Sequence, residues 1–297
     1  MAITAEQVAK VTANLDAIVS AECKTADLNM NQNLLGDFVG AGQVVVAKMA
    51  IDGLGNYDRK NGFPDGDVDL AWEVLSLEYD RGREFQVDAM DDDEHALIMS
   101  SNIMAEFERA KVVPEVDAAR FARLSAKAGT KAAGITLTTN NVMTKLLEAE
   151  AAVAENAELD GCIIYMTQVV KNLIREKQSY RLGQGENING KFETFDDMKV
   201  VTVPQSRFYS AIDLYDGVTS DSVDQTVGGF AKAEAGKAIN FMIVDPSACA
   251  AIAKHQRLRH FAPDVNQERD AHKWQYRLFH DMLVYGNKAE RIYVCTQ

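Results

Sequence analysis

Residues 85–114 read FQVDAMDDDEHALIMSSNIMAEFERAKVVP, and the pattern in this stretch frames the reading of the whole chain. Phe85, Val87 and Ala89 alternate with polar neighbours, the period of a short strand. Four acids follow, Asp91, Asp92, Asp93 and Glu94. Leu97, Ile98, Ile103, Met104, Phe107 and Ala110 then recur at spacings that put them on one face of a helix. Acids at its start, with Arg109 and Lys111 at its end, complement the helix dipole. Asp91 and Glu94 have the spacing of a capping box. Pro114 pushes the residue before it towards extended backbone, so the helix is expected to stop there. From Asp91 to Lys111 it would be about 31 Å long. One apolar stripe of that length needs a long partner surface, so the helix is expected to lie as a spine across a sheet.

Upstream, residues 1–30 carry one weak amphipathic pattern (Val8, Val11, Leu15, Ile18, Val19) with too little apolar area to fold alone. The chain then turns extended around Val44, Val45 and Val46. Residues 51–67, IDGLGNYDRKNGFPDGD, hold four glycines and little that could form a core. A structureless stretch this long inside a compact domain is uncommon and usually functional or disordered. Val68, Leu70, Trp72 and Val74 alternate as a strand, and the phase shifts to Leu75, Leu77 and Tyr79. Such a shift marks a bulge or a change of packing environment. Residues 44–89 therefore read as a long two-stranded arm with a Gly-rich tip. A lone hairpin is marginal in water, and nothing later in the chain is free to receive this one, so it is expected to lie on another subunit.

Downstream, Val116, Phe121 and Leu124 suggest an extended stretch and a short helix over residues 112–127. Thr138 or Thr139 can cap a helix from about Asn140 to Ala154. CIIYM (162–166) and INFMIV (239–244) read as buried strands, with a further strand over 198–203 and a helix capped by Thr167. Pro246 suits the first turn of a helix. Strand–helix alternation over 128–254 argues for an α/β or α+β unit. From His255 onward the pattern is β again, with strands flanking a Gly286-Asn287 turn.

The chain has 297 residues, 47 % apolar and 25 % charged, the balance of a soluble globular protein large enough for a sizeable core. No apolar run is long enough for a membrane span, and no secretory signal precedes residue 10, so synthesis in the cytoplasm is expected. Cys23, Cys162, Cys249 and Cys295 form no CxxC pair, which argues against a disulfide framework or zinc site. A net charge of −13 with acids spread along the chain excludes a domain built to grip nucleic-acid phosphates.

Catalytic and ligand-binding patterns are missing. RLGQGENING (181–190) lacks the dinucleotide-fingerprint spacing and reads as a flexible loop. No phosphate-binding loop or nucleophile elbow occurs. His255 and His260 do not share a helix face, and the Asp91–Glu94 run lacks EF-hand spacing. No cofactor, metal or catalytic residue is expected. Tyr57, Trp72 and Tyr79 fit packing between subunits better than base stacking. Arg59, Arg81 and Arg83 are read either as locally paired surface residues or as bidentate partners across a subunit boundary.

The segments IDGLGNYDRKNGF, DLAWEVLSLEYDRGREFQVDAMDDDE, AEFERAKVVPEVDAARFARL and FAPDVNQERDAHKWQYRLFHDMLVYGNKAERIYV, in this order, resemble the major capsid proteins of tailed bacteriophages with the HK97-type fold. The resemblance is strong over 51–124 and at the C-terminal end and weak over 130–250. It implies an α+β chain with an N-terminal arm (1–34) and a P-domain beginning at 35–49. An E-loop hairpin (50–88), a P-domain with the spine helix (89–127), an A-domain (128–254) and C-terminal P-domain strands (255–297) follow. Function is then expected to be self-assembly through pentamers and hexamers into an icosahedral head shell around double-stranded DNA, which is contacted weakly and without sequence specificity. The expected location is the virion, and the expected partners are other copies, a portal and a separate scaffolding protein, with no membrane. Inter-subunit candidates are Tyr57, Arg59, Lys60, Phe63, Trp72, Arg81 and Arg83; Lys60 is also the candidate for covalent cross-linking of the kind some members use. An encapsulin-like compartment shell is the alternative, and an α/β enzyme with a dimerisation arm a remote one.

Overall fold

The structure is a computed structural model and describes residues 22–29, 43–57, 59, 62, 63, 65–88, 104–177, 183–187, 190–220 and 223–297. Most of the expected N-terminal arm, the start of the spine helix at 91–103 and Lys60 lie outside the described residues. In chain order, β1 (Gln43–Ile51), β2 (Val68–Ser76) and β3 (Tyr79–Asp88) precede a helix. That helix is described from residue 104, passes through a π-helical turn at Glu108–Val112 and continues as α1 (Val113–Lys127). Next come β4 (Thr130–Ala132), α2 (Val142–Ala154), β5 (Ile163–Met166) and α3 (Gln168–Glu176). Strands β6 (Gly183–Asn187), β7 (Gly190–Phe195), β8 (Met198–Thr202), β9 (Ile212–Leu214), β10 (Phe230–Lys232) and β11 (Ile239–Val244) follow. The chain ends with β12 (Cys249–Phe261), β13 (Ala271–Val284) and β14 (Ile292–Thr296).

The largest sheet has seven strands in the order β4-β14-β11-β5-β8-β7-β6. Strand alternation sends Tyr165, Met242, Val244 and Val294 to one face, where Phe121 and Leu124 of α1 cover them. Ile164, Met166, Phe241, Ile243 and Tyr293 point the other way, onto Val142, Leu146 and Val153 of α2 and Val170 and Ile174 of α3. Burial on both faces is why CIIYM and INFMIV do not alternate apolar with polar residues; Asn240, the polar residue in the second run, donates to the Ile135 carbonyl (2.8 Å). A second, antiparallel sheet has the order β12-β13-β3. Its Trp274, Tyr276, Leu278 and Leu258 pack on Val113 and Val116, two turns upstream of Phe121 on the same helix. One helix therefore joins two cores.

That helix does not stop at Pro114, contrary to the sequence expectation, and residues 112–127 hold no extended stretch. Proline lacks the N–H and crowds the carbonyl four residues back. Here the Val113 N–H donates to the Glu108 carbonyl, five residues back. The resulting π turn offsets the hydrogen-bond ladder just before the proline, and Pro114 falls in the first turn of α1, where a missing donor is tolerated.

β1 and β2 pair in register from Gln43 opposite Ser76 to Ile51 opposite Val68, a two-stranded sheet of their own. Among the described residues no third strand is hydrogen-bonded to it. The hairpin is shorter than the arm expected over 44–89 and the E-loop expected over 50–88, because residues 79–88 belong to the three-stranded sheet as β3. The phase shift at Leu75 falls just before the chain changes sheets.

The C-terminal strands also divide differently from the expectation. β14 does not pair with β13 around a Gly286-Asn287 turn; it joins the seven-stranded sheet between β4 and β11. The reason is edge occupancy: β12 and β3 already fill both edges of β13, and a 3-10 turn at Gly286–Arg291 carries the chain across. RLGQGENING contains β6 and the first residue of β7, paired as a hairpin rather than a loop. Its glycines hid a strand held by backbone pairing to an existing sheet. Pro246 opens a single 3-10 turn, and Thr167 caps α3 as expected. The N-cap of α2 is Asn141, and its side-chain oxygen accepts from the Thr138 N–H.

Candidate assembly surfaces

The tip of the ribbon is built from residues that the fold leaves in solvent. Leu54, Tyr57 and Phe63 are exposed, Phe63 at 85 %. Tyr57 and Phe63 contact each other, with ring centroids 4.9 Å apart. Asp52 closes the base of the loop: its carboxylate accepts from the Asp67 N–H (2.8 Å), and its own N–H donates to the Asp67 carbonyl (3.2 Å). Arg59 is exposed at the tip, and Trp72 lies in β2 opposite Ala47. The pair leaves apolar surface in water, and exposed apolar patches of this kind mark contact sites.

The root of the ribbon is held differently. At Leu77 the chain leaves β2, and Leu77 is buried against Ile252, Leu283 and Phe279. The next residue, Glu78, donates its N–H to Asp281 (3.1 Å). Arg123 of α1 reaches both carboxylates, Glu78 and Asp281, at 2.9 Å each. Asp281 is fully buried, and its burial raises the carboxyl above its usual range while Arg123 and the backbone N–H groups oppose that shift. Asp281 thus ties the hairpin root to both the sheet and the long helix.

Arg81 and Arg83, the other two sequence candidates, lie on β3 beside a cleft of about 400 Å³ between the three-stranded sheet, the helix and residues 215–230. Arg81 makes its contacts within the chain: Nε donates to Glu115 (2.6 Å), and its terminal nitrogens donate to the carbonyls of Tyr215 (2.8 Å) and Gly229 (3.3 Å). Arg83 donates to the Thr226 carbonyl (3.1 Å). Gly217 has φ +78°, and a Cβ there would sit 2.8 Å from the Arg83 guanidinium. These arginines hold the 215–229 loop in place. The six described candidates therefore divide between ribbon and body and do not converge on one site.

Sequence reading missed the polar anchor on the other side of α1. Asp117 is fully buried and accepts from the N–H groups of Lys24 (3.0 Å) and Thr25 (3.2 Å), from the Thr25 hydroxyl (2.9 Å) and from Arg207 (3.1 Å). Arg120, also buried, donates to the same hydroxyl (2.9 Å). Glu22–Arg109 (2.6 Å) and Asp27–Lys199 (2.7 Å) extend the attachment at each end. Residues 22–29 are thereby fastened across the helix and against β8. The available signal was two charged residues, Asp117 and Arg120, interrupting an apolar helix face.

Other reactive groups are kept inert. All four cysteines are buried and unpaired, and burial pushes the Cys23 and Cys249 thiols up to about 12. Burial lowers His280 to about 3, with Arg120 and Arg81 adding to the effect. His260, hydrogen-bonded to His272 at 3.1 Å, is lowered to about 4 by burial and by that neighbour. Among the described residues no three His, Cys, Asp or Glu side chains are grouped to hold a metal ion, and no helix is long and apolar enough to cross a membrane.

No protein-family model matches the sequence, and no curated protein matches it. Solved structures do. A chain of Microbacterium phage Oxtober96 superimposes with a TM-score of 0.57 at 12 % identity, covering 88 % of each chain. The capsid structure of the cyanophage P-SCSP1u gives a TM-score of 0.55 at 10 % identity, covering 88 % of this chain and 85 % of that one. A virus-like particle from Pyrococcus furiosus gives 0.50 at 10 % identity, covering 95 % and 98 %. At such identities the likeness is one of fold, and this chain has the HK97-type fold of capsid and virus-like-particle chains.

Proposed function

We propose that this chain is the major capsid protein of a tailed bacteriophage and that its mechanism is assembly. The observation that carries the reading is the fold likeness to the capsid structure of the cyanophage P-SCSP1u over most of both lengths. It gains support from a ribbon whose tip residues Leu54, Tyr57 and Phe63 are exposed. On this reading the ribbon is the E-loop, lying over the P-domain of a neighbour. The three-stranded sheet with the long helix is the P-domain, and the seven-stranded sheet is the A-domain that meets its copies around five- and six-fold axes. Many weak contacts, multiplied by closure, hold the shell together. The net charge of −13 keeps the wall from gripping the packaged DNA. A portal and a separate scaffolding protein complete the set of partners.

Expression of the chain, alone and with its scaffold, followed by sedimentation and negative-stain microscopy, tests this. Rings of five or six subunits or closed shells are expected. A monomer that never assembles under either condition contradicts it. The likeness to the Pyrococcus particle supports the second reading, a compartment shell. Particles that enclose protein cargo and no DNA would select that reading over the first.

A further inference from the structure

The cleft beside β3 combines an apolar wall with a surplus of cations. Its volume of about 400 Å³ lies within the range of small-molecule pockets. Phe85, Phe107 and Tyr276 line it and meet edge to face, with ring centroids 4.8 and 5.8 Å apart. Phe85 and Phe107 are only part-buried, so ring surface is left uncovered. Arg81, Arg83 and Lys111 line the same space against two acids, Glu115 and Asp216, in a chain whose net charge is −13. Both acids are engaged. Glu115 pairs with Arg81 (2.6 Å), and Asp216 accepts from the N–H groups of Val218 (2.8 Å) and Thr219 (2.9 Å). Among the described residues no carboxylate pairs with Arg83 or Lys111.

The Arg83 head is nonetheless held in place. It donates to the Thr226 carbonyl (3.1 Å), which uses one of its five N–H donors. Its other terminal nitrogen lies where a Cβ would come within 2.8 Å at Gly217 and 3.5 Å at Gly228. Both glycines are in the left-handed region, with φ +78° and +71°. The loop is thus shaped around a guanidinium to which it supplies no acid. His280 also lines the cleft; it is 2 % exposed, and its Nδ1 is buried with no hydrogen-bond partner among the described residues. A buried polar atom in that condition calls for a partner.

We propose that this cleft is a binding site for a small amphiphilic anion, its carboxylate, sulfonate or phosphate held by Arg83 and Lys111 and its apolar body laid on Phe85, Phe107 and Tyr276. The guanidinium fork matches such oxyanions. A bound anion bridges β3, the long helix and the 215–229 loop, and so stabilises the folded chain by mass action. The site goes beyond the shell reading and stands or falls separately from it.

Titration of the full-length chain with anilinonaphthalene sulfonate, followed by fluorescence, tests it. Saturable one-to-one binding and a raised melting temperature are expected. R83Q should weaken binding about tenfold, the loss of one charge-assisted hydrogen bond, and K111Q by a smaller factor. Ala110 lines the cleft and is exposed, so A110W should block entry. K111Q and A110W alter exposed positions, which keeps the test independent of the loop contact that R83Q also removes; circular dichroism checks the fold of all three. F63S, at the ribbon tip, should leave the affinity unchanged. Naphthoate or dodecanoate should displace the dye, the better competitor showing whether the natural body is aromatic or aliphatic, and uncharged naphthalenemethanol should not. Absence of saturable binding, equal affinity in R83Q, K111Q and A110W, or loss in F63S overturns the proposal. So does displacement by neither acid, or by the alcohol as well as by the acids, which would reveal an apolar hollow with no recognition of charge.

Discussion

The seven-stranded sheet and the two-stranded ribbon are both β-structure in one chain, yet they are stabilised on different terms. In the first, Phe241, Ile243, Met242 and Val244 alternate between two buried faces, each covered by helices of the same copy. In the second, backbone pairing is complete along nine residues, but Leu54, Tyr57 and Phe63 end in solvent. Hydrogen-bonded pairing alone gives little net stability. On the shell reading, the sheet is finished at the level of the subunit and the ribbon only at the level of the assembly. Between them, Asp281 and Arg123 fix the ribbon's root to the finished part, so the unfinished part leaves at a defined place.

The largest expected effects lie in the finished part. Phe241→Ala removes a ring buried between sheet and helices and should cost about 3–5 kcal/mol of subunit stability in chemical denaturation. Asp117→Ala leaves Arg207 and the N–H groups of Lys24 and Thr25 without their acceptor and should cost a similar ~3–5 kcal/mol. A loss below about 1 kcal/mol for either would mean that the cores are looser than their burial indicates.

Acid provides the next test. His280 is buried and neutral, with a folded-state pKa of about 3 against 6.5 in the unfolded chain. The unfolded chain therefore binds a proton that the fold refuses. The resulting stability is present above pH 6.5 and is lost as pH falls towards 3. Between pH 6.5 and 4 this amounts to about 3 kcal/mol. His260, lowered to about 4, acts in the same direction. A pH series of denaturation curves should show this slope, reduced in His280→Gln.

The smallest effect on the subunit is the sharpest for the comparison. Phe63→Ser at the ribbon tip should change subunit stability by less than about 0.5 kcal/mol, because the ring is already in water. The same substitution should reduce particle yield. A change of more than about 1 kcal/mol in the isolated subunit would show that the tip is part of the subunit's own fold.

What the sequence disclosed divides along the same line. Runs with a single packing environment were readable: CIIYM, INFMIV and the helix after Thr167 all appear where periodicity and capping placed them. The change of phase after Val74 marked a real change of sheet. The errors arose where partners distant in sequence decide. Pro114 looked like a stop because local spacing does not reveal the π turn that precedes it, in a segment packed on Trp274 and Tyr276. Residues 292–296 look like the mate of β13 until both its edges prove to be occupied. Arg81 and Arg83 were separable from the ribbon candidates only once Tyr215, Thr226 and Gly229 came within reach. Asp117 drew no attention because its four donors come from segments about 90 residues away on either side.

Electron cryo-microscopy of assembled particles bears most directly on the idea that the ribbon is completed by another copy. Density for residues 43–76 should run out over a neighbouring subunit, with the Tyr57–Phe63 pair covered by that neighbour. A ribbon folded against its own three-stranded sheet, or left uncovered in the closed shell, would contradict it.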